Sequence, residues 1–229
     1  MTHLSTERDH HTVEHPATRP LQTSVYDWWS RHPRAMRLLY ALSFLGREST
    51  FRDRARDALA PAPGERLLEL GCGDGRALPH LAAAVGPDGH VLGLDASEGM
   101  TTAAAARTAS DDTVSVVRGD GRRLPVPDGT LDGAYSAMAL SAVPEPAAAV
   151  DAVHAALHPG GRYVVLDARP FADGPLRAID ALTVPISRRL TDWVPSVDLV
   201  ATLRDRFETV SVDTYNAGSI VLVRAERGD

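Results

Sequence analysis

The chain has 229 residues, of which 44% are hydrophobic and 24% charged, with a formal net charge of −6 at pH 7. A chain of this length and composition can bury one sizeable core, so we expect one domain with small additions. The acidic balance argues against a nucleic-acid partner, which would need a basic stripe for phosphates, and the single cysteine excludes an internal disulfide framework.

The first predicted element is a polar tail, residues 1–23. It has two prolines, no periodicity and four histidines, His3, His10, His11 and His15. A flexible histidine-rich end without cysteines is not a convincing metal site, so we predict no metal and assign the tail no function. No secretory signal or span of about 18 apolar residues is found, so a cytoplasmic protein is expected.

Residues 24–60 follow with the apolar spacing of two or three short helices, interrupted by Pro33. This segment precedes the first strand pattern, which suggests an N-terminal helical lid. Arg31, Arg34 and Arg37 flank its apolar face. One interpretation is a lid packed on the domain with its arginines in water. The other is peripheral contact of the N-terminal helices with an anionic membrane surface.

From residue 61 to 229, strand and helix patterns alternate. Strands are predicted at "RLLEL", "HVLGLD", "VSVV", "LDGAYSAM" and "RYVVLDA", with helices such as "GRALPHLAAAVG" between them. This alternation is typical of an α/β protein with a Rossmann-like, doubly wound sheet that is mostly parallel. The last two patterns, "FETVSVDTY" and "GSIVLVRAE", are too close for a helical crossover, so the last of seven strands should run antiparallel.

The stretch "LLELGCGDGRAL" joins the first strand to the first helix of this domain. In such folds, ligands bind beyond the carboxyl ends of the strands, where backbone N–H groups and a helix N-terminus are available. The glycines read GxGxG. Arg76 stands where a dinucleotide-binding GxGxxG would need a small residue, which disfavours a nicotinamide cofactor. Asp95, at the end of the second strand, can accept the hydroxyl protons of a ribose.

Together with "VLGLDASEGM", "VRGDGRRLPVPDGTLDGAYSAMAL" and "ALHPGGRYVVLD", this stretch resembles the class I S-adenosylmethionine-dependent methyltransferases. The similarity is greatest to the branch that contains the ubiquinone/menaquinone-type and phospholipid methyltransferases. It covers roughly Arg66 to Arg169, and the antiparallel final hairpin agrees with the seven-stranded sheet of that family. The resemblance implies S-adenosylmethionine as cofactor and methyl transfer as the reaction.

The resemblance also implies a donor site. The cofactor-binding residues that it implies are Glu69, Gly71, Cys72, Gly73, Gly75, Asp95, Ala96, Met100, Asp120, Gly121 and Ser136. Of these, Glu69 and the glycine loop would hold the methionine end, Asp95 the ribose, Asp120 the adenine amino group, and Ser136 would lie near the sulfonium. For each acid, a helix cap or a surface charge is the alternative. Cys72 would be a small filler and not a methyl-accepting nucleophile.

The acceptor is less well defined. A substrate-side insertion, residues 170–195, is apolar in patches and favours a small apolar acceptor such as a quinone precursor or a lipid amine, although ordinary helix packing explains it equally. Weak catalytic candidates are Tyr26, Ser136 and Asp192. A catalytically silent, S-adenosylmethionine-binding interaction module is the rival function. The methylated atom and the oligomeric state are not predicted.

Overall fold

The computed structural model describes residues 24–44, 46–171, 177–191 and 193–229. The predicted tail, part of the predicted insertion and the candidate Asp192 lie outside the described residues. Within the described ranges, no helix is both long and apolar enough to cross a bilayer.

Seven strands and eight α-helices are described. The strands are β1 Arg66–Leu70, β2 His90–Asp95, β3 Val114–Arg118, β4 Leu131–Ala137, β5 Leu157–Ala168, β6 Thr209–Tyr215 and β7 Ile220–Glu226. The helices are α1 Ser24–Arg31, α2 Pro33–Ser43, α3 Glu48–Leu59, α4 Leu78–Val85, α5 Glu98–Arg107, α6 Pro146–Ala156, α7 Arg177–Thr191 and α8 Leu199–Arg204. A short 3-10 helix, Leu140–Ala142, follows β4.

The strands form one sheet in the order β3-β2-β1-β4-β5-β7-β6. All neighbours are parallel except β7, which runs antiparallel to both β5 and β6. The predicted Rossmann-like fold and its antiparallel last strand are therefore confirmed. The strand order reverses between β1 and β4, and ligands of such sheets bind in the crevice outside the carboxyl ends at this point.

Both faces of the sheet are covered, which explains why β1 is a nearly continuous apolar run. Leu67 packs on the face covered by α3 and α4, whereas Leu68 packs on the face covered by α6 and α8. Both side chains are buried. This double burial holds the carboxyl end of β1, and whatever follows it, in a fixed position.

The N-terminal helices pack in two different ways. Phe51, Ala55 and Leu59 of α3 recur at every fourth position and are fully buried in the core beside β4 and β5. Helix α1 instead contacts α5 and α7. The predicted lid of residues 24–60 therefore divides: α3 is a core helix, and the lid hypothesis now concerns residues 24–44 alone.

Candidate functional site

A cavity of about 510 Å³ opens at the carboxyl ends of β1, β2 and β4. The glycine loop after β1 and the residues that follow β2 and β3 line one side of it. Side chains from α1, α2 and α3, with Trp193 and Val194, line the other side. This volume lies within the range of roughly 300–1,000 Å³ that small-molecule sites occupy.

The three glycines of the loop have positive φ angles, and a side chain would meet different surroundings at each of them. A Cβ on Gly71 would lie 2.2 Å from the Cβ of Ala139, and one on Gly75 would lie 2.9 Å from Ala104. A Cβ on Gly73 would meet nothing within 4 Å and would enter the cavity. The loop is thus packed at both ends and open in the middle.

Glu69, in β1, is only 3% exposed, and its Oε2 has no hydrogen-bond partner among the described residues. Burial raises the pKa of this carboxyl to about 8, and the nearby Arg52 opposes part of that rise. A buried carboxylate oxygen without a hydrogen bond destabilises the protein, unless a ligand supplies the hydrogen-bond donor. The site therefore suits a ligand that brings a cationic N–H group to Glu69.

Asp95 ends β2 and joins two loops. Its Oδ2 accepts a hydrogen bond from the backbone N–H of Gly73, and its Oδ1 accepts one from that of Ser97, both at 2.9 Å. Burial raises the pKa of Asp95, and the two backbone N–H groups oppose the rise. Ser97 also caps α5, because its Oγ accepts from the Met100 N–H.

Asp120 and Gly121 line the cavity beyond β3, beside Ala96 and Met100. The guanidinium of Arg122 donates to both oxygens of Asp120, at 2.7 to 3.1 Å. These hydrogen bonds lower the pKa of Asp120, so it is an anion near neutral pH. Sequence reasoning did not predict that Arg122 pairs with this acid.

Ser136 does not line the cavity. It is fully buried inside the sheet, against Tyr163. Strand β4 continues one residue further, and Ala137, Met138 and Ala139 line the cavity instead. The expected position of Ser136 near the sulfonium therefore differs from the structure, because side chains alternate between the faces of a strand.

Tyr26 and Trp29 connect α1 to the end of α7. The Tyr26 hydroxyl donates to the carbonyl of Thr191 at 2.5 Å, and the Trp29 indole N–H donates to that of Leu190 at 2.6 Å. These carbonyls are in the last turn of a helix, where they have no intrahelical partner. Tyr26 also lines the cavity. We call this pair of contacts the α1–α7 clasp.

Asp27, on the same helix, meets the other side of the site. Its Oδ1 accepts from the Ser97 hydroxyl at 2.5 Å and from the Gly99 N–H at 3.3 Å. A Cβ on Gly99 would lie 2.2 Å from the Oγ of Ser30, so α1 and α5 approach closely here. Sequence reasoning singled out the neighbouring Tyr26 but not the contact of Asp27 with Ser97.

Sequence reasoning missed Asp167, a buried carboxylate in β5. It accepts hydrogen bonds from the hydroxyl and the backbone N–H of Ser141, at 2.7 and 2.9 Å, and burial raises its pKa. The carbonyl of Ser141 in turn accepts from the Val194 N–H at 3.1 Å. Asp167 thus fixes, through Ser141, the position of Val194, which lines the cavity. One sequence signal could have found Asp167: it is an acid near the end of a buried strand, like Glu69 and Asp95.

Sequence reasoning also missed Glu48 and Arg52 of α3, which both line the cavity. They form an ion pair at 2.9 Å, and the Arg52 guanidinium lies 5.8 Å from the centre of the Tyr40 ring. A Glu and an Arg four residues apart look like an ordinary surface pair on a helix. Their partial burial follows from the packing of α3 against the sheet, which the sequence pattern does not show.

Cys72 is buried at the cavity wall, and burial raises the pKa of its thiol. Its Sγ would lie 3.2 Å from a Cβ on Gly93, so it fills the space over β2. A neutral thiol in this position is a poor nucleophile. In the described part of the chain, no cluster of three or more potential metal ligands is present.

Comparison with known proteins agrees with this geometry. A family model described as "Methyltransferase domain" matches residues 67–161. A demethylmenaquinone methyltransferase of Symbiobacterium thermophilum is 36% identical over 114 residues, which cover 48% of this chain and 45% of that protein. An uncharacterized 37.1 kDa protein in transposon TN4556 of Streptomyces fradiae is 35% identical over 159 residues, which cover 69% of this chain and 44% of that protein. The chain thus spans less than half the length of these relatives.

A solved structure extends the comparison over most of the chain. An S-adenosylmethionine-dependent methyltransferase from Mesorhizobium loti superposes with a TM-score of 0.62 and 27% identity, covering 76% of this chain and 96% of that one. This superposition agrees with the overall fold described above. The chain thus carries a methyltransferase domain and is similar in sequence and fold to S-adenosylmethionine-dependent methyltransferases, whose cofactor is S-adenosylmethionine.

Proposed function

We propose that this chain transfers the methyl group of S-adenosylmethionine to a small apolar acceptor of the quinone-precursor class. The single observation that carries the proposal is the unpartnered Oε2 of Glu69 in a cavity shared with the glycine loop and Asp95. The acceptor class is supported by the names of relatives such as the demethylmenaquinone methyltransferase of Clavibacter sepedonicus, 36% identical over 123 residues.

In this proposal, the donor lies along the carboxyl ends of β1, β2 and β3. Glu69 receives the ammonium group, and the open backbone at Gly73 lets the methionine end pass. Asp95 accepts the ribose hydroxyls, which would compete with or join its present bonds to the loop. Asp120 faces the adenine amino group, with Gly121 against the ring.

Arg52 adds a second charge to the donor site. The amino-acid end of the donor carries a carboxylate as well as an ammonium group, and Glu69 alone can satisfy only the latter. Arg52 lines the same cavity and is close enough to Glu69 to lower its pKa. Its Nε donates to Glu48 and its guanidinium also interacts with the Tyr135 hydroxyl, which still leaves terminal N–H groups for a ligand. We therefore assign the donor carboxylate to Arg52.

Methyl transfer from a sulfonium is a displacement at an activated carbon. The chain therefore has to align the acceptor in line with the carbon–sulfur bond and exclude water. Met138 and Ala139, after β4, and Trp193 line the cavity on the acceptor side. Of the catalytic candidates in the described chain, Tyr26 reaches the cavity, but its hydroxyl proton is directed to the Thr191 carbonyl. We infer a positioning role for Tyr26 rather than a role as base.

Residues 24–44 act in this proposal as a lid over both substrates. Asp27 fixes α1 to the start of α5 beside the donor site, and the α1–α7 clasp fixes it to the acceptor side. Such a closure would keep water from the reacting atoms, so damage to it should reduce turnover more than donor binding.

The test is methyl transfer itself. Purified protein is incubated with methyl-labelled S-adenosylmethionine and a panel of demethylated quinone precursors and lipid amines, with Glu69→Ala as the matched inactive variant. Labelled product from a quinone precursor, absent with Glu69→Ala, is the expected result. Calorimetry on the same samples separates the rival: micromolar donor binding without transfer to any acceptor would make the chain an S-adenosylmethionine-binding interaction module.

A further inference from the structure

Four large apolar side chains stand out as exposed in the described chain, and none of them is on the sheet or its covering helices. They are Trp28 at 46%, Leu38 at 62%, Ile186 at 50% and Val194 at 39% of full exposure. Trp28 is in α1, Leu38 in α2 and Ile186 in α7, while Val194 follows α7. The exposed apolar surface is therefore concentrated on the elements that cover the cavity.

Each of these helices directs one face inward and places arginines on the other. In α2, Met36 is buried, whereas Leu38 and its neighbours Arg34 and Arg37 are exposed. In α1, Trp29 is buried, whereas Trp28 and Arg31 are exposed.

Helix α7 repeats the pattern. Leu190 faces α1 through the clasp, whereas Ile186, Arg188 and Arg189 are exposed. We call the exposed set on the three helices the outer lid face: Trp28, Arg31, Arg34, Arg37, Leu38, Ile186, Arg188 and Arg189. An exposed apolar side chain near one or two exposed arginines on each helix is the composition of surfaces that insert into a lipid interface.

The charge of these helices is opposite to that of the chain. Residues 24–44 and 177–191 contain six arginines and two aspartates, although the whole chain has a formal net charge of −6. Such local excess of positive charge favours an anionic surface and not a second copy of an acidic protein. Trp28 is also held in place, because its ring stacks on His32 with centroids 4.1 Å apart.

The outer lid face adjoins the mouth of the cavity. Arg188 and Val194 are exposed and also line the cavity. We propose that the outer lid face docks on an anionic lipid surface, so that the cavity mouth opens toward the bilayer and an apolar acceptor enters from the lipid. The docking itself needs only this face, whereas the delivery of an acceptor rests on the proposed function.

The proposal is tested by flotation of the full chain with phosphatidylcholine vesicles and with equimolar phosphatidylcholine–phosphatidylglycerol vesicles. Binding to the anionic vesicles at low salt, and none to the neutral ones, is expected. Each arginine near a charged surface contributes about 1 kcal/mol, so Arg34→Gln with Arg37→Gln should lower the partition coefficient by roughly 30-fold. The matched control, Arg66→Gln with Arg204→Gln, removes the same charge from exposed positions outside the face and should stay within about twofold.

A second variant tests the apolar part of the face. At high salt, where the charges of the arginines are screened, Trp28→Ser should float less than the wild-type protein does. Equal loss in the two double variants, or no flotation at low salt, would overturn the proposal. A dimer seen by light scattering would also overturn the proposal if Trp28→Ser dissociates it, because a second copy of the chain would then occupy the outer lid face. Binding of S-adenosylhomocysteine, measured in every variant, reports separately on the proposed function.

Discussion

The donor side and the acceptor side of the cavity are built by different means. Apart from Arg52 of α3, the proposed donor-side groups are in the strands or directly after them, and their partners are closer in sequence: Asp95 accepts from the Gly73 N–H, 22 positions away. The acceptor side depends on helices that are far apart in sequence. The two bonds of the α1–α7 clasp join residues 165 and 161 positions apart. The position of the proposed donor side follows from the sheet, whereas the proposed acceptor side depends on how distant helices pack against one another.

The largest effect should come from filling the donor path. Gly73→Leu places a side chain in the cavity and forces a left-handed conformation on a residue with a Cβ, which costs about 1–2 kcal/mol. Binding of S-adenosylhomocysteine, measured by calorimetry, should fall about 100-fold or more. Gly129→Leu is the control, because Gly129 also has a positive φ in open space but does not line the cavity. Equal loss in both variants would show that strain alone is responsible.

A somewhat smaller effect is expected at Glu69. Glu69→Gln keeps the shape but removes the charge, and the loss of a charged hydrogen bond of about 1.5–3 kcal/mol should weaken donor binding roughly 10- to 100-fold. In the wild-type protein, the pKa of about 8 means that the donor-free carboxyl is mostly protonated at pH 7. An ammonium ligand requires the ionised form, so binding below pH 8 should release a proton and weaken as the pH falls.

The same variant should behave oppositely in stability. A folded-state pKa above the unfolded value means that ionised Glu69 disfavours the folded state as the pH rises through 8. Glu69→Gln should therefore raise the thermal midpoint of the donor-free protein more at pH 9 than at pH 6. Donor affinity that is independent of pH between 6 and 8 would contradict the ammonium assignment.

A third prediction tests whether the core helix α3 takes part in donor binding. Arg52→Gln should weaken S-adenosylhomocysteine binding about 10-fold, the value of one charge-assisted hydrogen bond. It should leave binding of methylthioadenosine unchanged, because that ligand has no amino-acid end. Equal losses for both ligands would mean that Arg52 has a general structural role and that the carboxylate has another partner.

The smallest effect on donor binding is expected for the α1–α7 clasp. Trp29→Phe removes the N–H donor to the Leu190 carbonyl and should cost about 1 kcal/mol of stability. Turnover with the identified acceptor should fall several-fold, while donor affinity stays within about twofold. Tyr26→Phe removes the other bond, and the double variant tests additivity. A loss of donor affinity as large as the loss of turnover would show that the two sides of the cavity are not separable.

These differences explain how much the sequence could predict. The order of apolar runs and turns gave the sheet and the cavity position, because strands and their following residues are local patterns. Glu69 and Asp95 could be located for the same reason. Ser136 could not, since a shift of one residue at the end of a strand moves a side chain to the other face. Asp167, Glu48 and Arg52 acquire their roles only from contacts between elements, which single-chain patterns do not encode.

Ser97 is shared by the two sides: its backbone N–H donates to Asp95, and its hydroxyl donates to Asp27 on the lid. A ligand that changes the bonding of Asp95 therefore acts on the residue that holds α1. Thermodynamic linkage then requires reciprocity. If donor binding raises the equilibrium constant for lid closure by some factor, lid closure raises the association constant of the donor by the same factor. Asp27→Asn should weaken these two effects, of donor binding on closure and of closure on donor binding, by the same factor. The proposed lid would, in this sense, be an effector of the proposed donor site.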